Sequence, residues 1–209
     1  MEELITFKSI EIAVAALSEN DAKLANLFHV VGELTPPHKS LEFSSVSRII
    51  INQQLSGKAA DTIFGRIENR FPNLIPNEIL NAENEVLRAC GVSNAKVKYL
   101  KALAQKLIER PGYFEEISQM ESGLAKEEIW SNKGFGEWSS EIFLLFHLKR
   151  ADIYPKGDVT LNKVVGKIFE IDPKDEKKIY ELSESWSPYR SIVSLALWQF
   201  FDNGLMSLK

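Results

Sequence analysis

Cysteine is the scarcest chemistry in the chain: Cys90 stands alone among 209 residues. That excludes an internal disulfide, a four-cysteine iron–sulfur cluster and a cysteine-based zinc site. Histidine is nearly as sparse, and His29, His38 and His147 are scattered, so nothing suggests a tightly bound transition metal and none is expected. No apolar run approaches the roughly 18 residues that span a bilayer. The start, Met1-Glu2-Glu3-Leu4, lacks the basic n-region of a secretory signal. An excess of positive charge is missing too: 29 acids stand against 25 lysines and arginines, a formal net charge of -4. Taken alone, that sum argues against a nucleic-acid partner, because many such domains are basic overall. These absences describe a reduced, cytoplasmic protein with no membrane segment.

What is present is a sizeable core. Hydrophobic residues make up 44% of the chain, which suits one compact domain or two small lobes. The charge is uneven. Residues 1–45 hold seven acids against three lysines, whereas residues 88–110 hold six cations against Glu109 alone. That basic stretch is either a face that docks a polyanion or an ordinary solvated helix face.

The pattern is helical almost throughout, and no segment alternates with period two over strand length. Val46, Ile49, Ile50, Ala59, Ile63 and Ile67 keep helical spacing from Ser45 to Asn69. Asn77 can cap a short helix, and Ser93 or Asn94 a long one carrying Tyr99, Leu100, Leu103 and Leu107. Two helices flank Lys133-Gly134-Phe135-Gly136, and further helices follow over 161–169, 175–184 and 189–201. The expected fold is all-α, with about ten short helices in two lobes and a cleft between them. One lobe covers about residues 40–155, and the other about 1–39 with 156–209.

The informative stretch is Ile129 to Lys163. Gly134 and Gly136 bracket Phe135 between two helices. Glycine lets a backbone come close to another chain, and the second helix would aim its N-terminal N–H groups outward, which suits a phosphate. Phe135 would fill the space between the helices. For a bare G-x-G, a weak motif, an ordinary tight helix-helix turn is the better explanation. Twenty-two residues after Gly136, Tyr154-Pro155-Lys156-Gly157-Asp158 places a carboxylate at a turn that opens the next helix. Asp158 is an N-cap on this pattern, and a capping carboxylate with a fixed position can also serve chemistry.

The chain resembles the 3-methyladenine DNA glycosylase II family of the helix-hairpin-helix superfamily. Five ordered blocks carry the resemblance across about residues 40–201: Ile51 to Ala60 with its Gln53-Gln54 pair, Cys90 to Lys96, Gly134-Phe135-Gly136-Glu137-Trp138-Ser139, Tyr154 to Asp158, and Trp186-Ser187-Pro188-Tyr189-Arg190-Ser191 with Trp198. The resemblance implies a helix-hairpin-helix glycosylase fold acting on double-stranded DNA. It implies hydrolysis of the N-glycosidic bond of alkylated purines (3-methyladenine and 7-methylguanine, with ethenoadenine and hypoxanthine as further candidates) after base flipping.

By the same resemblance Asp158 is the catalytic carboxylate, which stabilises the developing sugar cation and handles the attacking water. Relatives that nick the strand carry a lysine two residues after the hairpin's last glycine. Trp138 occupies that place, so the enzyme is expected to be monofunctional. Trp138 also suits either core packing or the base pocket. Trp198 matches a pocket aromatic able to stack on an electron-deficient base. Gln54, with Leu55 beside it, takes the position that fills the gap left by a flipped base, and buried or capping amides are the alternative for Gln53 and Gln54. Ser56 stands where some relatives place a bulky minor-groove reader, and Ile142 where some place a pocket tyrosine. Gly134, Phe135 and Gly136 are expected to bind the DNA backbone. Arg190 is expected to brace the neighbourhood of Asp158 or a helix end. No cofactor is expected; Na⁺ or K⁺ at the hairpin carbonyls is compatible with the family and not required. A monomer is expected, nucleoid-associated in a prokaryote or nuclear in a eukaryote. Three other readings compete: a glycosylase/lyase for another damaged base, a non-catalytic helix-hairpin-helix DNA-binding module, and a helical interaction protein unrelated to DNA.

Overall fold

The computed structural model describes residues 4–207; the acidic start at 1–3 lies outside them. Among the described residues there are thirteen α-helices, a terminal 3-10 turn and no strand beyond an isolated bridge between Leu4 and Arg150. No helix of the described residues is long and apolar enough to cross a membrane. The helices are more numerous than the ten expected: an N-terminal pair and a short helix after Pro111 are added, and the stretch 45–69 is two helices.

The chain divides into two compact units, residues 39–143 and the remainder on either side. The central unit holds α3 (Phe43–Asn52), α4 (Gly57–Arg70), α5 (Pro76–Asn81), α6 (Asn84–Ala89), α7 (Asn94–Glu109), α8 (Tyr113–Ser118), α9 (Ser122–Trp130) and most of α10 (Glu137–Phe146). Its interior contains Val46, Ile50, Ile67, Leu87, Leu100, Tyr113, Phe114, Ile129 and Phe143, all buried. Helix α7 is its spine, packing against α3, α5 and α6.

The terminal unit holds α1 (Phe7–Asn20), α2 (Ala22–Val31), α11 (Val159–Phe169), α12 (Glu176–Glu184) and α13 (Arg190–Asp202). Its core gathers Ala13, Leu17, Leu24, Leu27, Leu161, Val164, Val165, Trp186, Val193 and Leu197. The sequence pattern assigned residues 144–155 to the other lobe. They join this unit because Ala151 and Tyr154 enter its core, and because main-chain bonds tie the segment to both termini. The Ile5 N–H donates to the Lys149 carbonyl at 2.7 Å, and the Ser191 N–H to that of Ala151 at 3.0 Å.

Side-chain caps set several of the helix starts. Thr6 and Ser9 form a reciprocal capping box on α1, Asp21 caps α2, Ser93 caps α7 and Asp175 caps α12. Helix α5 begins at Pro76, not at an Asn77 cap; Pro supplies the first helical φ, and the Glu78 carboxylate accepts from the Ile75 N–H.

One correction bears on function. The unbroken helical spacing from Ser45 to Asn69 is two helices. Helix α3 stops at Asn52, Gln54 adopts a left-handed φ of 56°, and Ser56 starts α4 by accepting from the Ala59 N–H. The Gln-Gln pair therefore lies on a turn, not within a helix.

Candidate functional site

In the terminal unit the turn 154–158 delivers Asp158 as the N-cap of α11. One carboxylate oxygen accepts from the Thr160 and Leu161 N–H groups, both at 2.9 Å. The residue is 9% exposed. A buried carboxylate requires compensation, and the main-chain donors and positive end of the α11 dipole supply part of it. The first helical residue, Val159, is exposed.

Tyr154 is buried in the same turn, with its ring edge-on to Trp186 at 5.7 Å between centroids. Neither its hydroxyl nor the Trp186 indole N–H has a hydrogen-bond partner among the described residues. Burial, reinforced by the negative charge of Asp158, pushes the Tyr154 phenol well above the ordinary tyrosine range.

Trp198 is half-buried on α13, tilted against Phe146 with centroids 5.3 Å apart. Sequence reasoning missed Phe146; it lies one helical turn beyond Ile142, itself partly buried. Arg190 proves to be a structural brace. Its Nε donates to Asp152 Oδ1 at 2.7 Å and its terminal nitrogen to Oδ2 at 3.0 Å, while the Ser187 hydroxyl donates to the same carboxylate at 2.9 Å. Burial opposes the Asp152 charge, yet the Arg190 and Ser187 bonds prevail and hold its carboxyl below the usual range. The carboxylate that Arg190 holds is thus that of Asp152.

In the central unit the hairpin joins α9 to α10. Lys126 locks the two helices together, reaching Glu141 at 2.7 Å and Glu137 at 3.2 Å. Phe135 is buried, as its place between the glycines suggested, and its N–H donates to the Asn132 carbonyl. The two glycines do different work. Gly134 has φ 94°, and a Cβ there would lie 2.3 Å from the Tyr99 ring. Its missing side chain makes room for a neighbour within the protein, which corrects the expectation that it admits an outside chain. A Cβ on Gly136 would meet nothing within 4 Å. Its N–H donates to the Ser139 hydroxyl at 2.7 Å, and its carbonyl accepts from the Ser139 and Ser140 hydroxyls. Trp138 sits partly exposed in the first turn of α10.

The Gln53–Ser56 turn is fastened to this hairpin: the Gln53 amide donates to the Gly134 carbonyl at 2.7 Å. Gln54, Leu55 and Ser56 are exposed. Lys96, from the first turn of α7, donates to the carbonyls of Ile51 at 2.8 Å and Gln53 at 2.7 Å.

Most of the basic stretch 88–110 is thereby committed internally. Lys101 donates to the Ala82 carbonyl, Lys106 pairs with Glu128 and lies over the Tyr113 ring, and Arg110 pairs with Glu116 and Glu128.

A Na⁺ or K⁺ ion at the hairpin would share carbonyl oxygens that already accept hydrogen bonds. The Gly134 carbonyl already takes the Gln53 amide, and the Gly136 carbonyl two hydroxyls. No group of three or more His, Cys, Asp or Glu residues among the described residues could hold a metal.

Residues 47–188 match the model of the HhH-GPD superfamily of base excision DNA repair proteins. The DNA-3-methyladenine glycosylase 1 of Schizosaccharomyces pombe is 32% identical over 213 residues, covering 95% of this chain and 90% of that protein. The solved structure of a 3-methyladenine DNA glycosylase from that yeast, in complex with abasic DNA, matches with a TM-score of 0.82 at 29% identity, covering 91% of this chain and 96% of the other. A DNA-3-methyladenine glycosidase from Bacillus halodurans matches with a TM-score of 0.77 at 29% identity, covering 93% and 91%.

Proposed function

The chain belongs to the HhH-GPD superfamily of base excision DNA repair proteins, and from that premise we propose that it is a monofunctional DNA glycosylase that excises alkylated purines through Asp158. The observation that carries the reading is the placement of that carboxylate: buried, at a helix N-terminus, with one oxygen fixed by two main-chain N–H groups. Such fixation suits a group that must meet charge as it develops on a sugar.

N-alkylation puts positive charge on the purine. When the glycosidic bond breaks, its electron pair moves to the purine nitrogen and neutralises that charge. The sugar becomes cation-like at C1′, beside the carboxylate. A water oxygen bonds to C1′, and its proton passes to the carboxylate and then to solvent. The products are a free base and an abasic strand.

Trp198 and Phe146 supply an aromatic surface for an electron-poor ring. On the DNA side, Gly134 and Phe135 shape the hairpin, Gly136 offers the open approach to a phosphate, and Gln54, Leu55 and Ser56 face the flipped-out gap. With Trp138 where lyases carry lysine, no amine is offered there for a Schiff base.

Release of free 3-methyladenine and 7-methylguanine from methylated duplex tests the proposal. The expected result is base release that leaves an intact strand, cut only by alkali, with no borohydride-trapped adduct. Absence of base release contradicts the glycosylase assignment, and a robust adduct contradicts the monofunctional one.

A further inference from the structure

Gln54 has an unusual setting for a residue expected to enter DNA. It adopts a left-handed backbone conformation, uncommon outside glycine. Gln54, Leu55 and Ser56 are all exposed. Within the turn, the Leu55 N–H donates to the Asn52 carbonyl at 3.2 Å. Such a tip does not hold a left-handed shape through its own packing, so the anchoring of its neighbours must hold it.

The end of the turn that leaves α3 is tied twice, by the side chain of Gln53 and by that of Lys96. Gln53 donates to the Gly134 carbonyl, joining the turn to the hairpin. Lys96 spans the carbonyls of Ile51 and Gln53, where α3 runs out of main-chain donors. The negative end of the α3 dipole favours a cation there. Lys96 itself sits in a place that is poor for lysine. It lies in the first turn of α7, against the positive end of that helix's dipole, and burial lowers its basicity. The site tolerates both costs because the ammonium faces the carbonyl end of α3. Two of its three N–H donors are committed to the turn, which leaves little of it for a phosphate.

We propose that Lys96 and Gln53 are positioning residues: together they lock the 53–56 turn against the hairpin, so that Gln54 is presented ready-shaped to the gap left by an extruded base. This inference rests on the glycosylase reading above. The lock lowers the cost of ordering the turn when the base leaves the stack. Its effect should grow with the stability of the pair that must be broken.

The test compares Lys96→Met, Lys96→Arg and Gln53→Leu with the wild-type enzyme under single-turnover conditions. One substrate carries 7-methylguanine opposite cytosine in duplex DNA; the other carries it opposite an abasic site. For Lys96→Met and Gln53→Leu, excision from the paired duplex should fall roughly tenfold or more, and by less than about threefold opposite the abasic site. Lys96→Arg keeps two donors and should stay within about threefold of wild type on both. Adding Gln54→Ala to Lys96→Met should cost no more than Gln54→Ala alone, because the two act as one device.

Amide hydrogen exchange at Leu55 in the DNA-free protein gives a readout independent of activity, and it should accelerate in Lys96→Met. Equal losses on the two substrates, additivity with Gln54→Ala, or unchanged exchange at Leu55 would overturn the proposal. Wild-type inactivity on every alkylated or deaminated substrate would instead remove the glycosylase reading, while the exchange measurement would still judge the lock.

Discussion

The Tyr154 hydroxyl is buried, lacks a partner among the described residues, and shares a turn with a buried carboxylate. An unsatisfied buried hydroxyl costs roughly 1–3 kcal/mol, so its removal is neutral or stabilising rather than harmful. Because folding disfavours the phenolate, the folded pKa exceeds the unfolded value of about 10. Stability is then complete below about pH 10 and falls as pH rises above it, since the unfolded chain releases this proton first. Tyr154→Phe should leave stability at pH 7 unchanged or slightly higher and reduce the loss above pH 10. Urea denaturation at several pH values checks both, and a large destabilisation at neutral pH contradicts the reading of an unpartnered hydroxyl. Individual residues differed in how legible they were. Asp158 could be read as a cap because the signal is local: Pro, Gly, Asp, then an apolar helical pattern. Gln53 and Lys96 could not, since their partners lie 81 and 43–45 residues away and local pattern carries no trace of such bonds. Arg190 fell between: its role as a brace was foreseeable, but Asp152 as its partner was not.

Among elements, the hairpin shows how one motif can hide two roles. Gly134 is required by Tyr99, whereas Gly136 opens onto space. Gly134→Ala should destabilise by about 1–3 kcal/mol, through a left-handed φ and a clash with the ring. Gly136→Asp should keep the fold, since its side chain meets nothing, yet weaken binding to any duplex by placing bulk and negative charge toward a phosphate. Thermal melts and fluorescence-anisotropy titrations separate the two. Equal DNA affinity for a folded Gly136→Asp protein would return that loop to a purely structural role. Helix α11 was legible to within two residues, 161–169 expected against 159–169 observed, because cap and apolar spacing agree. The break between α3 and α4 was not. Its apolar residues keep a helical phase across the turn, and Gln54 gives no compositional warning of a left-handed backbone. Periodicity reports which face is buried, not whether the chain stays helical between buried positions.

For the molecule as a whole, net charge was the least informative quantity. An acidic sum argued against nucleic acid, and a basic stretch argued for it. The stretch is mostly consumed by Ala82, Glu116, Glu128 and the end of α3. What identified the chain was the order of five short blocks, and residues 47–188 match the superfamily they pointed to. One unit boundary falls at residues 38–39. The boundary at 143–144 was not legible, because it falls inside α10, where nothing in composition changes. The central claim is that this fold works through one carboxylate, and Asp158→Asn tests it most directly. Asparagine caps a helix about as well as aspartate, so the melting temperature should barely move and binding to damaged DNA should persist. Single-turnover release of 7-methylguanine should fall by roughly 10²–10³, the usual worth of a charge aimed at the transition state. Release within a few-fold of wild type by the folded variant would contradict the account.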